Sequence, residues 1–253
     1  KRYDETDKVN LYEFDLYKEK LNRLQIDSNP DKYKYLYPDL NDKDFNIKIA
    51  EKREFHETRY NGEIVPVKQQ AEKLCNSEFE LAPHQLFVRN FLSFQTPYNS
   101  LLLYHGLGSG KTCSAIGIGE EMRDYLKQIG NTQRIIIVAS PNVQNNFRVQ
   151  LFDERKLKLI DGLWNIRSCT GNKYLKEINP MNMKGLSKEN VVRQINRIIN
   201  VSYIFMGYIQ FANYISNKST VDPEFSEEKR KVIEKRNLIK HFNNRLIIID
   251  EVH

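Results

Sequence analysis

Residues 101–119 read LLLYHGLGSGKTCSAIGIG, and this stretch decides the fold. The apolar run at residues 101–104 predicts a buried strand, and residues 105–112 form a glycine-rich turn. Apolar side chains at helical spacing then predict a helix over residues 111–128. Such a turn lets backbone N–H groups converge at the start of a helix, where a phosphate group can bind. The stretch therefore predicts a phosphate-binding turn in an α/β protein.

The candidate phosphate-binding residues lie within this turn. Lys111 can reach the β- and γ-phosphates of ATP, and the Thr112 hydroxyl can ligate Mg²⁺. The strict phosphate-loop pattern requires glycine where this chain has His105, so a coincidental glycine turn is the alternative interpretation. The predicted nucleotide-binding residues of the turn are Gly106, Gly108, Ser109, Gly110, Lys111 and Thr112.

The last eight residues, LIIIDEVH, predict the second half of the same site. Asp250 and Glu251 follow an aliphatic run, which predicts a buried strand with carboxylates at its C-terminal end. We predict that Asp250 holds Mg²⁺, directly or through water. Glu251 would orient or deprotonate the water that attacks ATP. Because Asp-Glu pairs are common on protein surfaces, this prediction depends on the phosphate-binding turn upstream.

Short apolar runs alternate with helical patterns along the rest of the chain. The predicted strands cover residues 135–139, 163–170, 203–206 and 246–249, and further predicted helices cover residues 11–25, 83–95, 187–200 and 226–240. This alternation predicts an α/β fold with a parallel sheet and helices on both faces. We expect a mostly helical or irregular extension at residues 1–78, followed by an ATP-binding domain at residues 79–253.

The composition argues against several classes of protein. The chain has 253 residues, 40% of them hydrophobic, which is enough for a substantial core. No apolar run approaches about 18 residues, so we expect neither a membrane span nor a secretory leader. The three cysteines, Cys75, Cys113 and Cys169, are odd in number and widely spaced. We therefore expect no disulfide framework, no zinc site and an intracellular, reducing location.

The net charge of +6 is unevenly distributed. Residues 1–80 hold 15 basic and 18 acidic residues, whereas residues 81–253 hold 24 basic and 15 acidic residues. Within the second part, residues 155–245 hold 18 basic and 8 acidic residues. Such an excess can supply phosphate contacts to a nucleic acid, although charge runs more often form a solvated surface.

The two motifs together resemble motifs I and II of superfamily 2 helicases and translocases. GLGSGKT matches motif I, in which the position of His105 is variable, and DEVH matches the D-E-x-H form of motif II, which brings His253 into the nucleotide site. The PHQ at residues 83–85 resembles the glutamine motif, in which Gln85 would read the adenine edge.

The resemblance has implications for fold and activity. It implies that residues 79–253 form the first of two RecA-like domains, with ATP bound between the two. In the whole protein, ATP hydrolysis would drive movement along or unwinding of nucleic acid, with DNA favoured over RNA.

Helicases of nucleocytoplasmic large DNA viruses resemble a larger part of the chain. The resemblance rests on LLLYHGLGSGKT, on PHQLFVRNFLSFQTPY upstream of it, and on YPDLNDKDFNIKIAEKREF at residues 37–55. These helicases are related to the poxvirus early transcription factor small subunit and to nucleoside triphosphate phosphohydrolase I. The resemblance implies viral RNA polymerase or transcription factor subunits as partners. It also implies a location in the host cytoplasm, viral factory or virion.

The two chain ends suggest a piece of a longer protein, because Lys1 is not an initiator and His253 lies within motif II. An arginine from the second domain would then be missing. We therefore expect residues 1–253 alone to hydrolyse ATP very slowly, since loss of such an arginine costs about 10³–10⁵ in rate.

Two other functions stay open. One is an ATPase subunit of a virus-type early transcription initiation or termination factor that does not unwind nucleic acid. The other is a packaging or remodelling motor of a different phosphate-loop branch, against which His253 and the PHQ motif argue.

Overall fold

The computed structural model describes residues 36–60, 62, 66–69, 81–106, 108–223 and 225–251. The chain divides into two compact units, Lys1–Arg53 and Glu54–His253. The predicted helix at residues 11–25, the predicted boundary near residue 78 and His253 all lie outside the described residues. The division at residue 78 therefore stays a prediction.

In the first unit, helix α1 spans Phe45–Glu51 and buries Ile49. Lys48 Nζ donates to Asp42 Oδ2 at 2.6 Å, which ties the helix to the turn before it. A short helix, α2, spans Arg53–His56, and all but its first residue belong to the second unit.

The helices of the second unit are short to medium in length. They include α3 (Pro83–Phe91), α4 (Lys111–Gln128), α5 (Pro141–Leu151), α6 (Lys173–Ile178), α7 (Lys188–Ser202), α8 (Tyr208–Ser219) and α9 (Glu227–Phe242). The predicted helices that correspond to α3, α4, α7 and α9 are confirmed. None of the helices in the described ranges is both long and apolar enough to cross a membrane.

A parallel sheet forms the centre of the second unit. Its strands are β1 (Ile135–Val138), β4 (Tyr203–Met206) and β5 (Ile247–Ile249), in the order β4–β1–β5. Ile136 is in register with Ile204 on one side and with Ile247 on the other. The predicted parallel sheet is therefore confirmed, and these three strands were predicted at residues 135–139, 203–206 and 246–249.

Helices cover both faces of this sheet, as predicted. Because side chains alternate along a strand, Ile135 and Ile137 pack in one cluster with residues of α4, α5 and α7. Ile136 and Val138 pack in the other cluster with side chains of α8 and α9. The central strand is completely buried, with every one of its residues at most 1% exposed.

The predicted strand at residues 101–104 is wrong. These residues are irregular, and the side chains of Leu102 and Tyr104 are 73% and 95% exposed. A strand needs a neighbour for its N–H and C=O groups, and within the described ranges no strand pairs with this segment. The apolar composition alone did not determine burial.

The predicted strand at residues 163–170 exists over a shorter range but lies in a different sheet. Strand β3 (Leu163–Ile166) pairs with β2 (Leu157–Ile160) as an antiparallel hairpin. The two turn residues, Asp161 and Gly162, have φ values of +53° and +81°. An Asp-Gly pair between apolar runs favours this tight turn, so a hairpin signal was present in the sequence.

Candidate functional site

The glycine-rich turn leads directly into α4. Gly108 and Gly110 both have a φ of +79°, in the left-handed region that favours glycine. Gly110 is the N-cap of α4, and its carbonyl oxygen accepts a hydrogen bond from the Ser114 N–H at 3.0 Å. The helix therefore begins at Lys111, as predicted, and its first N–H groups point toward the turn.

The side chain of Lys111 lies within the turn. Its Nζ donates to the carbonyl oxygens of His105 at 3.0 Å and Gly106 at 3.3 Å. Ser109 Oγ and His105 Nδ1 are buried, and among the described residues neither has a hydrogen-bond partner. A cation, an unused hydroxyl and the start of a long helix suit an anionic group such as a phosphate.

Helix α3 holds the turn in place. Gln85 is 8% exposed, and its Oε1 accepts from the Ala82 N–H at 3.0 Å, while its Nε2 donates to the Gly110 carbonyl at 3.2 Å. His84 Nε2 donates to the Ser109 carbonyl oxygen at 2.8 Å. A Cβ atom at position 110 would overlap Gln85 Nε2, so the Gln85 amide would have to move, and the φ of +79° itself favours glycine. The predicted role of Gln85 at the adenine stays a prediction.

Asp250 follows the last strand of the parallel sheet. Its N–H donates to the Val138 carbonyl oxygen at 3.0 Å, so the sheet itself fixes its backbone. Burial and the negative charge of Glu251 raise the pKa of the Asp250 carboxyl, and the positive charge of Lys111 opposes them. The two predicted halves of the site therefore lie close enough to interact electrostatically.

The predicted site residues differ in how fully the structure places them. Hydrogen bonds bring together Gln85, Gly106, Ser109, Gly110 and Lys111, whereas Asp250 is linked to Lys111 only through the effect of its charge on the pKa of the carboxyl. Gly108 and Thr112 are next to them in the chain, and Glu251 is exposed with a φ of +51°. In the part of the chain that is described, no group of three or more His, Cys, Asp or Glu side chains is arranged to hold a metal ion.

Cys113 and Cys169 form a disulfide, which the odd number and wide spacing of the cysteines did not predict. Cys113 lies in the first turn of α4 and Cys169 follows β3, and their Cα atoms are 5.3 Å apart. An odd number of cysteines does not prevent two of them from pairing, and the fold brings distant positions together. The bond ties the phosphate-binding helix to the segment after β3.

A buried ionic network, which the sequence reasoning missed, connects the middle of α4 to α6. Glu120 is 5% exposed and accepts hydrogen bonds from Tyr174 Oη at 2.6 Å, Tyr203 Oη at 2.7 Å and Arg123 Nη2 at 2.8 Å. Burial alone would raise the pKa of Glu120, but the charges of Lys173 and Arg123 outweigh it and lower that pKa. The carboxylate is therefore held ionised inside the protein.

Arg123 completes the network from the other side. Its Nη2 also donates to Glu177 Oε2 at 2.8 Å, and the Arg123 side chain is 6% exposed. Burial would lower the pKa of the guanidinium, but Glu177 and Glu120 raise it. A sequence signal was available, because Ile116, Glu120 and Arg123 lie on one helical face. Two charged residues on the same face as an apolar one indicate a buried ion pair.

Comparison with known proteins gives relatives in large DNA viruses. The chain is 25% identical to "Putative ATP-dependent RNA helicase L377" of Acanthamoeba polyphaga mimivirus over 87% of its length, and 28% identical to "Putative ATP-dependent RNA helicase R563" of the same virus over 79%. It is 27% identical to "Putative helicase 087L" of Invertebrate iridescent virus 3 over 69%.

The predicted resemblance to helicases of nucleocytoplasmic large DNA viruses is confirmed. The chain spans only 19%, 29% and 15% of the lengths of these three relatives, in the same order. No family model matches the chain, and no solved structure matches it at a significant level.

Proposed function

We propose that this chain binds ATP through the turn at residues 105–112 and the end of β5. The observation that carries this proposal is the position of Lys111, whose ammonium lies inside a glycine turn and acts electrostatically on Asp250. The similarity to two proteins whose names specify ATP-dependent helicases also supports ATP binding.

The residues of the turn have separate roles in this proposal. Backbone N–H groups at Gly106, Gly108, Ser109 and Gly110 surround the phosphates, and the fixed start of α4 adds its dipole. Lys111 neutralises charge on the β- and γ-phosphates, while Gln85 positions Gly110 and reads the adenine edge.

The acidic end of β5 supplies the hydrolytic part of the site. Thr112 and Asp250 would hold Mg²⁺, which in such sites takes one or two protein ligands together with phosphate oxygens and water. At this position the ion would neutralise the charge that develops on the phosphates. Glu251 orients the attacking water or accepts its proton, and His253 completes the motif.

For the whole protein we propose a superfamily 2 ATPase with a RecA-like domain at residues 79–253, coupling hydrolysis to movement along nucleic acid. The motif resemblance favours DNA, whereas two of the relatives reported above carry names that specify RNA. Stimulation of hydrolysis by each nucleic acid distinguishes the two. Viral transcription proteins are the proposed partners, and the infected cell's cytoplasm, viral factory or virion the proposed location.

The test is Lys111→Ala in the longest available protein. We expect ATP hydrolysis to fall by at least about 10²–10³-fold, because the variant loses a cation that stabilises the transferring phosphoryl group. The control is Lys127→Ala on the last turn of the same helix, which should retain the wild-type rate. Wild-type hydrolysis by Lys111→Ala would show that the site is assigned wrongly.

A further inference from the structure

The chain leaves the parallel sheet at the peptide unit that joins Asp250 to Glu251. The Asp250 N–H still donates to the Val138 carbonyl oxygen of β1 at 3.0 Å, but Glu251 has a φ of +51°. A left-handed conformation is unusual for a residue with a side chain, and it persists only where neighbouring groups hold it in place. The orientation of this peptide unit also sets the direction in which the Glu251 side chain leaves the backbone.

The hydroxyl of Tyr208 is one such neighbouring group. Tyr208 Oη donates to the Asp250 carbonyl oxygen at 2.8 Å. Because a peptide unit is planar, this oxygen and the Glu251 nitrogen rotate together, and fixing the oxygen restricts the φ of Glu251. The backbone of Asp250 is therefore bonded on both sides, through its N–H by β1 and through its C=O by Tyr208.

Tyr208 reaches this carbonyl oxygen from a different strand. It is the first residue of α8, which follows β4, whereas Asp250 follows β5. Strand β1 lies between β4 and β5, and neighbouring strands of a sheet are about 4.8 Å apart. The hydrogen bond therefore passes over the end of β1 and links the two strands that flank it.

The backbone at the start of α8 is fixed as well. The Gly207 N–H donates to Gln210 Oε1 at 2.9 Å, and the Met206 carbonyl oxygen accepts from the Ala139 N–H at 3.0 Å. Tyr208 follows Met206 and Gly207 directly in the chain. Its side chain is thus held at one end by the backbone of α8 and at the other end by its hydroxyl.

Packing alone does not account for this tyrosine. Tyr208 is 44% exposed, whereas Tyr203 at the start of β4 is 2% exposed and its hydroxyl belongs to the buried network around Glu120. Phenylalanine at position 208 would cover nearly the same surface, but it could not donate to the Asp250 carbonyl oxygen. The distinguishing contribution of Tyr208 is therefore its hydrogen bond.

We propose that Tyr208 is a positioning residue for ATP hydrolysis. Its hydroxyl orients the peptide unit between Asp250 and Glu251, and so directs the Glu251 carboxylate toward the attacking water. The inference rests on the proposed function and adds a residue to the same site. A general base acts only within hydrogen-bond reach of the proton that it accepts, so a small displacement slows hydrolysis. ATP binding depends instead on the turn at residues 105–112, which α3 holds.

The experiment compares two tyrosines of α8 in the full-length protein. Tyr208→Phe removes the hydrogen bond to Asp250, and the matched control Tyr214→Phe removes a hydroxyl that accepts from Arg245 Nη1 at 3.0 Å. Steady-state ATP hydrolysis gives kcat and KM. We expect Tyr208→Phe to lower kcat by about three- to tenfold, as for the loss of one hydrogen bond, and to leave the KM for ATP within about twofold of the wild type. Tyr214→Phe should retain both constants.

A double-mutant cycle tests whether Tyr208 acts through Glu251. In a Glu251→Gln background the carboxylate is absent, so adding Tyr208→Phe should slow single-turnover hydrolysis by less than about twofold further. The same fold loss in both backgrounds would show that Tyr208 acts independently of Glu251 and would overturn the inference. So would wild-type kcat in Tyr208→Phe, an equal loss of kcat in Tyr214→Phe, or a raised KM at unchanged kcat.

The single variants separate this inference from the proposed function. If Lys111→Ala and Glu251→Gln lose hydrolysis while Tyr208→Phe retains the wild-type kcat, the ATP site stands and the inference about Tyr208 is wrong. If Glu251→Gln hydrolyses ATP at the wild-type rate, the proposed role of Glu251 is wrong, and the role of Tyr208 is wrong with it.

Discussion

Polar groups at the start of helix α4 and in its middle differ in how completely they are hydrogen-bonded. In the middle, Glu120 and Arg123 are both 5% exposed, and each bonds to several side chains. At the start, Lys111 is held by two backbone carbonyls, and the buried hydroxyl of Ser109 has no partner among the described residues. The charged groups in the middle of α4 are thus paired with one another, whereas the polar groups at its start include one without a partner among the described residues.

This difference separates a structural use of charge from a functional one. A buried ion that is fully hydrogen-bonded fixes the packing of the elements that supply its partners, here α4, α6 and β4. A cation beside unused donors at a helix start instead retains its capacity to bind an incoming anion. The comparison predicts that substitutions in the middle reduce stability, whereas substitutions at the start chiefly reduce ligand binding.

The largest loss of stability is expected from Glu120→Ala. It leaves Arg123 buried with only part of its charge compensated and removes the acceptor of the Tyr174 and Tyr203 hydroxyls. Removing one partner of a buried ion pair costs about 3–5 kcal/mol, which urea unfolding measures. Glu121→Ala, at the next position, is the control and should change stability by less than about 0.5 kcal/mol. Equal effects of the two variants would show that the network is not structural.

Reduction of the Cys113–Cys169 disulfide should have the next largest effect. The bond joins positions 56 residues apart, and closing a loop of this length in the unfolded chain stabilises a protein by about 2–4 kcal/mol. Unfolding in urea with and without dithiothreitol measures the difference. The variant Cys113→Ser should be less stable than the oxidised wild type and should not respond to the reductant. A wild type that is equally stable under both conditions would argue against the bond.

Local signals explain what the sequence predicted well. The limits of α4, the turn before it and the strands of the parallel sheet all follow from glycine positions and short-range apolar periodicity. Lys111 lies close enough to Asp250 to oppose the rise in its pKa, but not because the two follow neighbouring strands, since residues 101–104 before the turn are irregular.

Long-range pairing explains what the sequence did not predict. Whether residues 101–104 form a strand depends on a neighbouring strand, and whether Cys113 pairs depends on the position of Cys169. The partners of Glu120 come from α6 and β4, which are far away in the sequence. The hairpin at residues 157–166, by contrast, had an overlooked local signal, its Asp-Gly turn.

The smallest effect tests the geometry of the turn itself. Gly108 and Gly110 have the same φ of +79°, so alanine at either position should cost about 1–2 kcal/mol through left-handed strain. A Cβ atom at position 108 meets nothing within 4 Å, whereas at position 110 it meets the side chain of Gln85. Gly110→Ala should therefore be the more destabilising of the two in urea unfolding, and should also weaken ATP binding more.

A double-mutant cycle isolates the contribution of Gln85 to this difference. In a Gln85→Ala background the overlap at position 110 disappears, so the two glycine variants should become equally destabilising. If the gap between them persists without Gln85, then α3 does not hold the turn through this side chain. The conformation of the turn before α4 would then depend on the backbone alone. It would differ even more clearly from the middle of the helix, where side chains hold the structure.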